Sequence, residues 1–339
     1  MIRTGIICPS EIALRRFLPA FEQLSDFEFI GVAIADKSEW TDANDTVINS
    51  ERIKAEAFVS QYGGRIFESY ASIIHSDEID AVYLPLPPAL HFTWAKQALK
   101  AGKHILVEKP ATTSLTDANV LLELARKNNL AVHENYMFTF HNQLAAIDDI
   151  VNSGEIGDVR LYRISFGFPR RSASDFRYNK TLGGGALLDA GGYTIKYASL
   201  LLGETAEIVY AQSNYTDEFE VDIYGSAALV NDGGTTAQVA FGMDNSYKCD
   251  LEIWGSKGCL TSGRVLTAPA NFIPEVSIKI GDKTETRQLP SDDAFKKSIE
   301  KFRDCIENGD IRSNNYKMIL RQAKLVKDFI KQNNIKHNG

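Results

Sequence analysis

Two hydrophobic rhythms alternate along the first part of the chain. Residues 3–8 (RTGIIC) read as a buried strand, and SEIALRRFLPAFEQL then spaces Ile12, Leu14, Phe17, Leu18 and Phe21 at helical intervals. FEFIGVAIA (27–35) is a second β-rich run ending at Asp36, and RIKAEAFVSQYG (52–63) predicts a helix closed by Gly63 and Gly64. SYASIIHS follows as a short helix, IDAVYLPLP as a continuous apolar strand, HFTWAKQALKAG as a helix with a glycine stop, and HILVEKP as the next strand. LTDANVLLELARKNN starts at a candidate N-cap, Thr116, and LAVHENYMF (130–138) is again strand-like. Strands alternating with helices predict an α/β fold with a Rossmann-type, doubly wound parallel sheet and right-handed crossovers.

Near residue 135 the pattern changes. A helix (NQLAAIDDIVNSG) precedes the long β-rich runs VRLYRISFGF, EIVYAQSNYT, VDIYGSAALV, TTAQVAFGM, SYKCDLEIWG, KGCLTSG and VSIKIG. Turn signals at 231–234 (Asn-Asp-Gly-Gly) and 255–258 (Gly-Ser-Lys-Gly) favour one large, mostly antiparallel open sheet. Two helices, at about 292–308 and 314–333, close the chain. The expected organisation is a dinucleotide-binding domain over 1–135 and an α+β substrate-binding and oligomerisation domain over 136–339.

Composition narrows the partners. A chain of 339 residues can hold two domains, with 44% hydrophobic and 24% charged residues, as in ordinary globular proteins. The net charge of −7 with scattered Lys and Arg offers no basic face, so neither nucleic acid nor an anionic membrane surface is an expected partner. No apolar run approaches the about 20 residues of a membrane span. The N-terminus is expected to be a first buried strand, not a secretory signal. Cys8, Cys249, Cys259 and Cys305 are far apart and lack metal-ligand spacing, so no metal site or disulfide framework is expected and a reducing cytoplasm fits.

The first strand-to-helix turn lacks the glycines of a dinucleotide fingerprint. It reads Cys8-Pro9-Ser10-Glu11-Ile12-Ala13, in which only Ala13 fits the G-x-G-x-x-G/A pattern, at its last position. The N–H groups of Ser10, Glu11 and Ile12 and the Ser10 hydroxyl can still face a phosphate, whereas Pro9 has no N–H to offer. Asp36 lies about 23 residues past Ala13, where an acidic residue takes the ribose hydroxyls of NAD. Lys37, Ser38, Arg15 and Arg16 are equally suited to the 2′-phosphate of NADP, so the cofactor is NADP or NAD, with NADP put first.

The segment VYLPLPPALHFTWAKQALKAGKHILVEKPAT resembles, over its whole length, the central segment of the Gfo/Idh/MocA oxidoreductase family. The resemblance implies that Val82–Pro87, with Leu86 and Pro87, abuts the dinucleotide, that His91 matches a family His, and that Lys109, following Glu108, touches both nicotinamide and substrate. Pro87-Pro88 stands where Pro-Asn is usual. FRYNKTLGGGALLDAGGYTIKYASLLLG is similar to the family's G-G-G-x-L-x-D-x-G-x-H/Y segment, which implies that Asp189 and Tyr193 face the substrate; Lys196 stands where many members have Asp.

With HENYMFTFHNQ and DFRYNKTLGGG, the Tyr makes the chain most similar to the family's sugar-nucleotide ketoreductases. The resemblance implies hydride transfer between nicotinamide and a carbonyl or hydroxyl of a sugar-like small molecule, a keto-sugar nucleotide first. Tyr193 is expected to supply the proton to the forming alkoxide, with the Lys109 ammonium drawing the phenol pKa toward the working range. Asp189 would orient Lys109 or bind a sugar hydroxyl, His91 and Asn135 would fix the carboxamide or the loop backbone, and Phe176, Arg177 and Tyr178 would line the substrate site. Two alternatives stand beside this: an inositol- or dihydrodiol-type dehydrogenase of the same family, and a non-catalytic sensor, motivated by the missing glycines. The resemblance also implies a homo-oligomer, dimer or tetramer, formed through the open sheet; Val239, Phe241 and Met243 alternate there in a way that suits either core or interface.

Overall fold

The computed structural model describes residues 1–40 and 43–337. The chain groups into two compact units, Met1–Asn135 together with Phe295–Leu320, and Tyr136–Ala294 together with the chain from Arg321 onward. The return of 295–320 to the first unit has no counterpart in the hydrophobic pattern, which places both closing helices in the second domain.

The first unit is built on six parallel strands: β1 (Ile2–Ile7), β2 (Phe27–Ala33), β3 (Arg65–Phe67), β4 (Ala81–Leu84), β5 (His104–Val107) and β6 (Val132–Glu134). Their order is β3-β2-β1-β4-β5-β6, with the switch point between β1 and β4. In such sheets ligands bind beyond the carboxyl ends of the strands, at that switch. The helices between them are α1 (Leu18–Phe21, preceded by a wide π-helical turn at Ala13–Phe17), α2 (Asp45–Tyr62), α3 (Tyr70–Ile74), α4 (Pro88–Lys100) and α5 (Leu115–Asn128). Every residue of β4 is buried, as required of a strand covered on both faces. Helix α2 starts earlier than its apolar spacing suggests because the Asn44 side chain caps it, accepting the N–H of Val47 at 3.0 Å. Strand β3 is three residues long and too short to show a period.

The second unit contains α6 (Asn142–Asn152), β7 (Val159–Gly167), α7 (Gly192–Leu202), β8 (Glu207–Asn214), β9 (Tyr224–Val230), β10 (Thr236–Gly242), β11 (Lys248–Gly255), β12 (Gly258–Gly263), β13 (Glu275–Ile280) and β14 (Lys283–Gln288). They form one eight-stranded sheet, β14-β13-β12-β11-β7-β10-β9-β8, antiparallel throughout except for the parallel pair β7–β10. Strands β9 to β11 alternate buried and exposed positions, so one face is covered and the other open. Val239, Phe241 and Met243 are all buried within the single chain and serve the core. The edge strand β14, KTETRQ, is nearly all exposed and polar; it carries no apolar signal, and its charges discourage pairing with other chains. Helices α8 (Ala294–Glu307) and α9 (Gly309–His337) complete the chain, and no helix among the described residues is long and apolar enough to cross a membrane.

Candidate active site

At the end of β1, Cys8 adopts φ 81°, the left-handed region that normally calls for glycine. The turn therefore has the backbone of a glycine turn without the glycine. Its thiol lies 3.4 Å from Glu51 Oε1, and the other oxygen of Glu51 accepts the N–H of Ala35 at 3.1 Å, tying the ends of β1 and β2 together. Ser10 caps the following helix: its Oγ accepts the N–H of Ala13 at 3.2 Å. The Ser10 N–H donates to Cys8 O at 2.9 Å. The N–H groups of Glu11 and Ile12 lie in the first turn, where a helix has no acceptor of its own for them. The Glu11 side chain is exposed and paired at 3.8 Å with Arg15, which offsets a carboxylate otherwise unwelcome near a phosphate. Ala13, fully buried, packs the third fingerprint position. The turn thus fits a dinucleotide through two N–H groups, at some cost in backbone strain. Cys8→Gly is expected to stabilise the protein by about 1 kcal/mol, read as a rise in thermal midpoint, with cofactor affinity unchanged.

After β2, Asp36 Oδ1 accepts both the N–H and the hydroxyl of Ser38, at 2.8 and 2.6 Å, which holds this carboxyl below the usual range. Lys37 Nζ pairs with Asp45 at 2.5 Å in an exposed contact, which a ligand phosphate can replace at little cost.

At the carboxyl end of β5, Glu108 Oε1 accepts the Tyr83 hydroxyl and the Asn135 amide N–H, each at 2.6 Å, bridging β4, β5 and the end of β6. Burial pushes the Glu108 carboxyl above its ordinary pKa, with these two donors and Lys109 pulling it back. Lys109 follows directly. The two ring nitrogens of His91 lie 2.8 Å from Pro110 O and 2.7 Å from Leu86 O, so this fully buried ring holds the backbone of the two loops. Burial drives its pKa down to about 4 against the pull of both carbonyls; the neutral ring donates to one of them only.

In the second unit a π-helical turn, Leu187–Gly191, carries Asp189 and runs directly into α7, which carries Tyr193. Single wide turns of this kind occur often at functional sites. They also change the phase between Asp189 and Tyr193, so the simple four-residue rule of a regular helix does not set their relative direction. Tyr193 is buried, its ring meeting Tyr136 edge-on at 5.3 Å, Phe166 at 5.3 Å and Phe138 at 5.7 Å. The buried Lys196 places Nζ 5.6 Å over the Tyr136 ring.

Asp189 Oδ2 accepts Arg177 Nε at 2.6 Å, while Arg177 Nη1 reaches Asp175 at 3.1 Å, so one guanidinium joins two carboxylates. Phe176 is half-buried beneath the same guanidinium, 4.6 Å from its ring centre. Tyr178 stacks on Phe219 at 4.4 Å, donates its hydroxyl to Met243 O and accepts the Arg171 N–H.

A residue the sequence did not single out, Asp222, starts this helix. Its Oδ2 accepts the Leu187 N–H at 2.7 Å and its carbonyl the Ala186 N–H at 2.8 Å; Gly185, at φ 121°, has no room for a Cβ, which would stand 2.4 Å from Asp222 Oδ1. Burial raises the Asp222 carboxyl to about 6, the Leu187 N–H opposing it. The folded state then holds this proton more tightly than the unfolded chain. The group's contribution to stability therefore falls as pH rises from about 4 to about 6, by on the order of 3 kcal/mol. In Asp222→Asn that fall should vanish, so the difference in thermal midpoint between wild type and variant should change across this window; a constant difference would refute the assignment.

Similarity to known proteins agrees with this construction. Residues 13–136 match the family model described as "Oxidoreductase family, NAD-binding Rossmann fold", and residues 144–261 the "GFO/IDH/MocA C-terminal domain". The chain is 38% identical, over 96% of its length and 93% of the relative's, to a dTDP-3,4-didehydro-2,6-dideoxy-alpha-D-glucose 3-reductase of Actinomadura kijaniata. It is 39% identical to the enzyme of that name from Streptomyces violaceoruber, over 98% and 95% of the two chains. A crystal structure of a 3-ketoreductase from Actinomadura kijaniata, in complex with NADP and TDP-benzene, superposes with a TM-score of 0.89 at 38% identity, covering 98% of this chain and 97% of that one. A glycine-free turn that keeps the glycine backbone, the Glu108-Lys109 strand end and the Asp189–Tyr193 helix are thus set in a chain that belongs to the Gfo/Idh/MocA family of NAD(P)-dependent oxidoreductases.

Proposed function

We propose that this protein uses NADPH to reduce a keto group on a nucleoside-diphosphate-linked sugar. The observation that carries the reading is the near-full-length relationship to 3-ketoreductases, one of them bound to NADP and a TDP compound. Bound cofactor supplies the hydride that reaches the carbonyl carbon. Glu11 and Ile12 N–H groups hold phosphate at the first helix, Lys37, Ser38 and Arg15 hold the 2′-phosphate, and the loop at Leu86 and Pro87, clamped by His91, borders the dinucleotide. Asp36, already bonded to Ser38, is left to the ribose side.

Tyr193 donates the proton that the carbonyl oxygen requires as it becomes an alkoxide. Its aromatic surroundings exclude water and fix the ring, which favours transfer from one defined atom. Lys109 serves the same step as a positive charge on the ligand edge of the first unit's sheet. Asp189, held by Arg177, takes a sugar hydroxyl, and Phe176 contributes an apolar face. A homo-oligomer formed through the open face of the eight-stranded sheet accompanies this reading.

The test is direct. Purified protein is mixed with NADPH and a dTDP-linked 3-keto sugar, and loss of the reduced-nicotinamide absorbance is followed; NADH is run in parallel. Turnover with NADPH is expected. Binding of NADPH without turnover of any keto-sugar nucleotide would favour a sensor, and turnover of free inositols or dihydrodiols alone would favour the other dehydrogenase types.

A further inference from the structure

Behind the Glu108 carboxyl runs a chain of hydrogen bonds that the proposed reaction does not use. Ser298 Oγ, on α8, donates to Asn135 Oδ1 at 2.7 Å, and Asn135 Nδ2 donates to Glu108 Oε1 at 2.6 Å. His133 Nε2 lies 2.9 Å from Ser298 Oγ; since the serine proton is committed to Asn135, the imidazole donates. All donors therefore run one way, from His133 through Ser298 and Asn135 to Glu108. Ser298, His133 and Asn135 are almost wholly buried, and Ser298 stands 163 residues from Asn135 in the chain, within the same compact unit.

We propose that Ser298 is a positioning residue for the cofactor site, acting through Asn135. An amide has two faces, and here both neighbours fix which is which: the serine hydroxyl holds the oxygen, and the Glu108 oxygen holds one N–H. The second N–H of Asn135 is then the group left for a ligand at the carboxyl end of β6, the edge where doubly wound sheets bind dinucleotides. An N–H at that edge suits an acceptor such as a carboxamide oxygen. A reversed amide would set its oxygen against Glu108 and offer a carbonyl where the acceptor must bind. The C-terminal segment Phe295–Leu320 thus completes the cofactor site by setting the polarity of one side chain.

The test is a double-mutant cycle read by NADPH fluorescence titration, with the thermal midpoint recorded for each variant. Ser298→Ala should weaken NADPH about tenfold, while Ser298→Thr, which retains the hydroxyl, should stay within about twofold of wild type. In an Asn135→Ala background Ser298→Ala should add nothing, because the residue through which it acts is gone. Unchanged affinity in Ser298→Ala would overturn the proposal. So would an equal loss in the alanine and threonine variants, or a tenfold loss that persists in the Asn135→Ala background, since either marks a general packing role. The readout is binding, so it stands whether or not the sugar-nucleotide substrate is correct.

Discussion

Replacing Lys109 with alanine is expected to lower kcat by roughly a thousandfold while changing NADPH affinity by less than about threefold. Its place after Glu108, at the carboxyl end of β5, sets it on the ligand edge of the sheet, and one positive charge among many cofactor contacts contributes little to affinity. Tyr193→Phe should show the same division. That substitution removes one hydroxyl and keeps the ring that packs on Tyr136, Phe138 and Phe166, so the fold should survive with its thermal midpoint nearly intact. Stopped-flow turnover under saturating NADPH, beside a fluorescence titration, separates the two effects. Wild-type kcat in either variant would remove that residue from the proton-transfer step.

Arg177→Ala carries the second large effect. The guanidinium binds Asp189 through Nε and Asp175 through Nη1, and all three side chains are about four-fifths buried, at 21%, 15% and 19% exposed. Withdrawing this cation from two neighbouring carboxylates costs about 2–3 kcal/mol, somewhat below the value for a fully buried group. Because Asp189 lies in the π-helical turn that leads to Tyr193, the loss should reach activity as well as stability, with KM for the sugar substrate raised. Arg177→Lys should recover only part of either, since a single ammonium cannot reproduce a fork that serves two acceptors. Chemical unfolding and steady-state kinetics on the two variants check both statements. Equal stability of Arg177→Ala and wild type would show that the pair is a surface contact of no consequence.

How legible the site was depended on how local its signals are. HILVEKP was readable because an apolar strand and the residues at its end are contiguous, and GGGALLDAGGY was readable because glycine spacing, Asp189 and Tyr193 lie within one turn and helix. The glycine-free first turn was legible as a departure but not as a solution: that Cys8 takes φ 81° regardless is a property of the packed backbone, with Glu51 holding the thiol from α2. His91 was recognisable as a residue of interest, while its work, joining Leu86 and Pro110, appears only once both loops are in place.

By itself the sequence determined the alternation of strands and helices, the change to an open antiparallel sheet, and the family to which the chain belongs, because hydrophobic period and short motifs are carried by neighbours along the chain. The tertiary structure alone decided the two strands without a period, β3 and β14, the return of Phe295–Leu320 to the first unit, and the partners of the polar groups: Asp222 at the start of the turn that leads into α7, Arg177 between two carboxylates, and Ser298 behind Asn135. Buried polar groups must find partners wherever the fold brings them, at separations of 12, 35 or 163 residues here, and no local pattern records such a choice.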